Sequence, residues 1–191
     1  MGVGPVNAAV FLDRDGVLNH TVVRDGVPYP PARVSACVLL PGVREACENL
    51  RGAGYLLFVV TNQPDVARGH QTREQVEGIN AWVQSTLPVQ QVLTCYHDTA
   101  DHCACRKPKP GMLFEAAQAW DVALPKSVMV GDRWSDVEAG RAAGCRSILI
   151  ERPYSGRERC QPDWVVGDLL AAAHVILHRG ETACKPSPIS V

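Results

Sequence analysis

The feature that most constrains this chain is a recurrence. Short apolar runs each close on a polar residue, with helical stripes between them. Leu56-Leu57-Phe58-Val59-Val60 is the clearest run, and it ends in Thr61-Asn62-Gln63. A strand buried on both faces reads this way, because neither face meets water. Val6 to Leu12 leads into Asp13, Val92-Leu93-Thr94 into Cys95, and Val128-Met129-Val130 into Gly131-Asp132. Ser147 to Ile150 and Trp164-Val165-Val166 continue the series. Between the runs, apolar residues recur at helical spacing: Val43, Ala46, Cys47 and Leu50; Val76, Ile79, Val83 and Leu87; Met112, Leu113, Ala116, Ala117 and Trp120. Thr72 to Gln75 fits a capping box, as does Ser135 to Glu138. A small-residue helix then runs to Ala143, with Gly144 as its stop, and a last helix covers 167–178.

Strands alternating with helices predict a Rossmann-like α/β fold, a mostly parallel sheet with helices on both faces. Ligands in such sheets bind beyond the carboxyl ends of the strands. Asp13, Thr61, the cysteine–histidine cluster after Val92–Thr94, and Asp132 all fall at such ends. Residues 17–41 hold four prolines and little periodicity, so they read as a long loop walling the ligand site. One domain over 1–179 is expected, without a separate cap domain, followed by a disordered tail at 180–191.

Composition excludes two partner classes. A net charge of −1 gives no general attraction to nucleic acid or an anionic membrane. No apolar run reaches the length of a membrane span. Met1 to Pro5 lacks the basic and apolar regions of a secretory signal, so a cytoplasmic protein with reduced cysteines is expected.

Asp13 and Asp15 stand two apart at a strand's end, so both carboxylates can face one point. Two acids so placed share a proton, neutralise other charges or hold a cation; alternatively they are solvated. With Mg²⁺ between them, one carboxylate is free to attack phosphorus. Gly16 lets the chain turn. Thr61 and Asn62 offer donors to phosphate oxygens. Lys107, within Arg106-Lys107-Pro108, can draw on a phosphoryl oxygen and orient the nucleophile. Asp132 can complete an oxygen cage for Mg²⁺, with Asp136 holding the loop or the metal's waters.

A second cluster, Cys95-Tyr96-His97 with Cys103-Ala104-Cys105, supplies four ligands of the right softness for tetrahedral Zn²⁺. His102 is a competing ligand outside the paired pattern. The set leaves no open position, so the zinc is structural and stiffens a small loop, 95–105, before Arg106 and Lys107.

The motifs Asp13-Arg14-Asp15-Gly16, Thr61 after its apolar run, Lys107 and Gly131-Asp132-Arg133-Trp134-Ser135-Asp136 together resemble the haloacid dehalogenase superfamily of phosphotransferases. The resemblance covers about 8–150. It implies a phosphatase in which Asp13 is the nucleophile and forms an aspartyl-phosphate. It further implies that Asp15 is the general acid and then the base. Mg²⁺ binds Asp13, the backbone carbonyl of Asp15, and Asp132. The zinc loop resembles that of the subgroup acting on heptose bisphosphate or histidinol phosphate. It implies that Arg106 and Lys107 bind substrate phosphate, with Arg133 near the pocket. The expected partner is a small phosphorylated metabolite, best a sugar bisphosphate serving surface-polysaccharide precursors, with histidinol phosphate as the alternative. The chain is expected to be a monomer. Pro64-Asp65 and the 20–33 loop depart from the heptose pattern, and Asp25 and Asp65 are the nearby acids suited to an ammonium substrate.

Overall fold

The structure is a computed structural model that describes residues 7–24 and 26–178. Val6, Asp25 and the tail expected at 180–191 lie outside the described residues. In chain order the elements are β1 (Ala9–Leu12), β2 (Val22–Arg24), β3 (Val27–Tyr29), α1 (Val43–Gly52), β4 (Leu56–Asn62), α2 (Arg73–Thr86) and β5 (Gln91–Cys95). There follow α3 (Gly111–Trp120), β6 (Val128–Gly131), α4 (Trp134–Ala142), β7 (Arg146–Ile150), β8 (Trp164–Val166) and α5 (Leu169–Leu177). Six strands form one parallel sheet in the order β5-β4-β1-β6-β7-β8. The chain leaves β1 toward β4 and β5, then returns to build β6, β7 and β8 on the other side. The strand order therefore reverses between β1 and β6, where an open α/β sheet leaves a crevice.

The buried runs divide by alternation. Val10 and Leu12 of β1, Leu57 and Val59 of β4, and Val128 and Val130 of β6 face α1 and α5. Ala9, Phe11, Phe58, Val60 and Met129 face Met112, Leu113 and Ala116 of α3. Successive strand residues point to opposite faces, so each strand must be apolar throughout to feed both layers. Phe11 and Phe58 stack across β1 and β4 with ring centroids 5.6 Å apart.

Three details differ from the sequence reading. Residues 17–41 are not simply a loop: β2 and β3 pair antiparallel, and Val34–Ala36 forms a 3-10 turn. Two three-residue strands leave too few positions for an alternation to show. Trp120 is 39% exposed rather than part of the inner face. Its indole N–H donates to Gln91 Oε1 at 3.2 Å while its ring edge meets Phe58. The start of α4 is two residues earlier than the Ser135–Glu138 pattern suggested, with Arg133 rather than Ser135 at the cap position. Asp136 Oδ2 accepts from the Arg133 N–H at 3.0 Å, so Asp136 is the residue that reaches back to cap. The capping box at Thr72 and Gln75 forms as read. No helix among the described residues is long and apolar enough to cross a membrane.

Candidate active site

Three carboxylates meet where β1 and β6 end. Asp13 directly follows β1, with its N–H on Val130 O at 3.0 Å. Asp132 directly follows β6, and Asp136 lies in the first turn of α4. Gly131 permits the approach, since a Cβ there would overlap the Asp136 side chain. One oxygen from each of Asp13, Asp132 and Asp136 lies within 4.8 Å of the others, and all three residues are buried.

Lys107 reaches this group from the loop between β5 and α3. Its ammonium donates to Asp13 Oδ1 at 2.8 Å and to Val60 O at 2.7 Å, and lies 2.6 Å from Asp136 Oδ1. Asn62 holds Lys107 through the backbone: its carboxamide accepts from the Lys107 N–H at 3.1 Å and donates to the Lys107 carbonyl at 3.0 Å. Burial acts to lower the Lys107 pKa, but Asp13 and Asp136 more than offset it and raise it. Burial pushes the Asp13 carboxyl up to about 6 against the pull of Lys107. Burial, reinforced by Asp13 and Asp136, raises Asp132 well above the ordinary carboxylate range. One ammonium thus pairs with two of the three acids, and Asp132 has no ion pair among the described residues. Asp132 Oδ1 is buried with no hydrogen-bond partner among the described residues. A buried orphan oxygen beside two other carboxylates fits a hard divalent cation such as Mg²⁺, which takes oxygen ligands.

Asp15 stands apart from that group. Its Oδ2 accepts from Arg14 Nε at 3.1 Å, Arg14 Nη2 at 2.9 Å and Gln63 Nε2 at 2.8 Å. Its Oδ1 accepts from Asn19 Nδ2 at 2.9 Å. Arg14 is fully buried and also donates to Asn80 Oδ1 at 2.8 Å. Thr61 is buried, and its hydroxyl accepts from Gln63 Nε2 at 2.8 Å.

The cysteine–histidine set closes on itself. Cys95 Sγ lies 3.2 Å from Cys105 Sγ and 3.7 Å from Cys103 Sγ, and the latter two are 3.5 Å apart. His97 Nδ1 lies 3.3 Å from Cys105 Sγ and 3.7 Å from Cys95 Sγ. Zn–S bonds of about 2.3 Å set sulfurs about 3.8 Å apart around a tetrahedron, so this donor set fits Zn²⁺. His102 is not among the four. It sits in the left-handed region at φ 48°, and its carbonyl accepts from Lys109 Nζ at 3.0 Å.

A cavity of about 680 Å³ opens over Asp13, Asp15, Thr61 and Lys107. Pro28 and Tyr29 of the hairpin form one wall, and Arg106 and Asp98 of the zinc loop another. Arg106 Nη1 donates to His97 O at 3.2 Å, and Nη2 lies 3.9 Å from Asp98 Oδ1. Arg68 forks onto the same Asp98 at 2.9 and 2.8 Å. Arg133 donates to Pro28 O at 3.2 Å.

The HAD-hydrolase-like family model matches residues 104–172. A D-glycero-beta-D-manno-heptose-1,7-bisphosphate 7-phosphatase from Rhodopseudomonas palustris is 38% identical over 159 residues, covering 77% of this chain and 85% of that protein. The chain belongs to the HAD-like phosphatases. The Thermosynechococcus vestitus D-glycero-D-manno-heptose-1,7-bisphosphate 7-phosphatase is 34% identical over 191 residues, covering 88% of this chain and 94% of that one. The D,D-heptose 1.7-bisphosphate phosphatase of B. bronchiseptica, solved with magnesium and phosphate, superposes with a TM-score of 0.77 at 30% identity. That match covers 90% of this chain and 99% of the other.

In this HAD-like phosphatase the sequence pattern and the site geometry diverge at several residues. Arg14, Asn80 and Gln63 around Asp15, and Tyr154 against Asp132, carry no signal of their own in the sequence. A buried arginine between two acids reads like any charged residue in a turn. The polar face of α2 gives no hint that Asn80 is buried.

Proposed function

We propose that this phosphatase removes the 7-phosphate of D-glycero-D-manno-heptose 1,7-bisphosphate through an aspartyl-phosphate on Asp13, with Mg²⁺. The observation that carries the reading is Asp13 at the floor of the cavity, 2.8 Å from the Lys107 ammonium and within the three-acid group. The names of relatives at 30–38% identity supply the substrate. Asp13, Asp132 and the Asp15 carbonyl would hold Mg²⁺, which when bound would supply positive charge to the transferring phosphoryl group.

The chain's own residues do the rest. A carboxylate oxygen of Asp13 attacks phosphorus, and the bond from phosphorus to the sugar oxygen breaks. Lys107 orients the nucleophile and offsets charge on the phosphoryl oxygens. Asp136 and Val60 O fix its ammonium, and Asn62 fixes its backbone. Asp15 gives its proton to the leaving sugar oxygen. It then takes a proton from water as that water attacks phosphorus, releasing phosphate and restoring the Asp13 carboxylate. Arg14, Asn19 and Gln63 hold Asp15 at the cavity's edge for both steps. Zn²⁺ at Cys95, His97, Cys103 and Cys105 is structural and stiffens the loop carrying Arg106. Arg106 and Arg133 line the cavity and suit the phosphate that is not cut.

Asp13→Asn keeps the shape and removes the nucleophilic charge. Its turnover of the bisphosphate should fall at least ~10³-fold in a phosphate-release assay. Near-normal turnover by the pure variant would contradict the assignment.

A further inference from the structure

Asp132 differs from its two neighbours in the acid group. Lys107 pairs with Asp13 and Asp136, whereas Asp132 has no ion-pair partner within 4.0 Å among the described residues. Its Oδ1 is buried and has no hydrogen-bond partner among the described residues. Its Oδ2 accepts from the Tyr154 hydroxyl at 2.9 Å. Tyr154 comes from the stretch between β7 and β8, and its hydroxyl also lies 3.4 Å from Thr21 Oγ1.

We propose that Tyr154 is a positioning residue for the divalent-cation site: its phenol pins one oxygen of Asp132 so that the other is presented to the cation. The inference rests on the Mg²⁺ reading above. A carboxylate can offer either oxygen to a metal, and a buried donor on one decides which is offered. Such partners behind a metal ligand commonly change affinity by ~10–100-fold. A phenol suits the task because it donates without bringing positive charge. Lysine or arginine in its place would compete with the cation. Gly16 crowds the same oxygen, since a Cβ there would overlap Asp132 Oδ2 and lie 2.9 Å from the Tyr154 oxygen. Tyr154 and the Gly16 backbone therefore both bear on Oδ2, and Oδ1 is the oxygen left without a hydrogen bond among the described residues.

The test is Mg²⁺ titration of the full chain without substrate, by calorimetry and by shift of melting temperature. Tyr154→Phe removes one oxygen and keeps the ring. Thr21→Val removes the phenol's other polar neighbour and leaves the bond to Asp132. Tyr154→Phe should weaken Mg²⁺ binding ~10-fold or more. Its metal-free melting temperature should stay near that of the unaltered chain, and excess Mg²⁺ should restore its phosphate release. Thr21→Val should bind Mg²⁺ as the unaltered chain does. Equal Mg²⁺ affinity in Tyr154→Phe, with or without a loss of metal-free stability, would overturn the proposal. So would an equal weakening in Thr21→Val, or lost activity that excess Mg²⁺ cannot restore. An unaltered chain that hydrolyses phosphate esters yet binds no Mg²⁺ would overturn the metal reading, and this inference with it.

Discussion

Asp13 and Asp15 leave the same strand two residues apart and meet different surroundings. Asp13 faces an ammonium and two buried acids, whereas Asp15 faces the guanidinium of Arg14 and the amides of Asn19 and Gln63. Two carboxylates in contrasting environments can take separate roles. The division leads to a graded prediction. Asp15→Asn should lower turnover of a sugar phosphate at least ~10²-fold, because an alkoxide is a poor leaving group without a proton donor. The same variant should lose much less on formation of the aspartyl-phosphate from p-nitrophenyl phosphate, whose leaving group needs little protonation. Burst kinetics on the two esters separate that step from the later one. Equal losses in the first step would contradict Asp15 as the general acid.

At the scale of elements, the zinc loop and the sheet edge each carry a prediction. The loop from β5 to Lys107 places Arg106 through a bond to His97 O, and His97 is itself one of the four clustered ligands. The protein should carry about one Zn²⁺ per chain by elemental analysis. Cys103→Ser should lower the melting temperature and raise KM for the sugar bisphosphate while leaving the metal-free acid group intact. Protein made without chelators that holds no zinc would contradict this. At the other edge, Asp163 ties β7 to the approach to β8. It accepts from Arg146 Nη1 at 2.7 Å and from the Ser147 N–H at 2.8 Å. Burial works to raise its pKa, but Arg146 and the Ser147 N–H outweigh it, so it lies below the ordinary 3.8. A folded pKa below the unfolded one stabilises above the unfolded value, and that contribution is lost as pH falls through the folded value. Asp163→Asn should therefore melt roughly 2–4 °C lower at neutral pH. The gap should close as pH falls below the ordinary 3.8 and through the lowered folded value, as thermal melts across pH would show. A gap unchanged at low pH would contradict the assigned cause.

For the whole molecule, much of the architecture follows from sequence alone because parallel strands are buried on both faces. Leu56 to Val60 has to be apolar throughout, and that run locates β4 and the crevice beyond Thr61. The positions of Asp13 and Asp132 follow from the same logic, since each directly follows a strand, whereas Lys107 lies in the loop between β5 and α3 and is read from its motif alone. The hairpin at β2 and β3 does not follow, because its strands are too short for periodicity to register. Nor do the partners of Asp15 and Asp132, because contacts such as Arg14 with Asn80, or Tyr154 with Asp132, depend on how distant segments close. The cations around the cavity were only partly legible for the same reason. Lys109 reaches the carbonyls of His102 and Cys103, while Arg68 shares Asp98 with Arg106 at the wall. Asp65, an acid suited to an ammonium substrate on the sequence reading, lies within 4 Å of both Arg68 and His70. The direct measurement is kcat/KM for D-glycero-D-manno-heptose 1,7-bisphosphate against histidinol phosphate, with Mg²⁺ present. The bisphosphate should be favoured at least ~10²-fold, the scale of one or two charge-assisted contacts, and should yield the 1-phosphate. Equal or better turnover of histidinol phosphate would contradict the account.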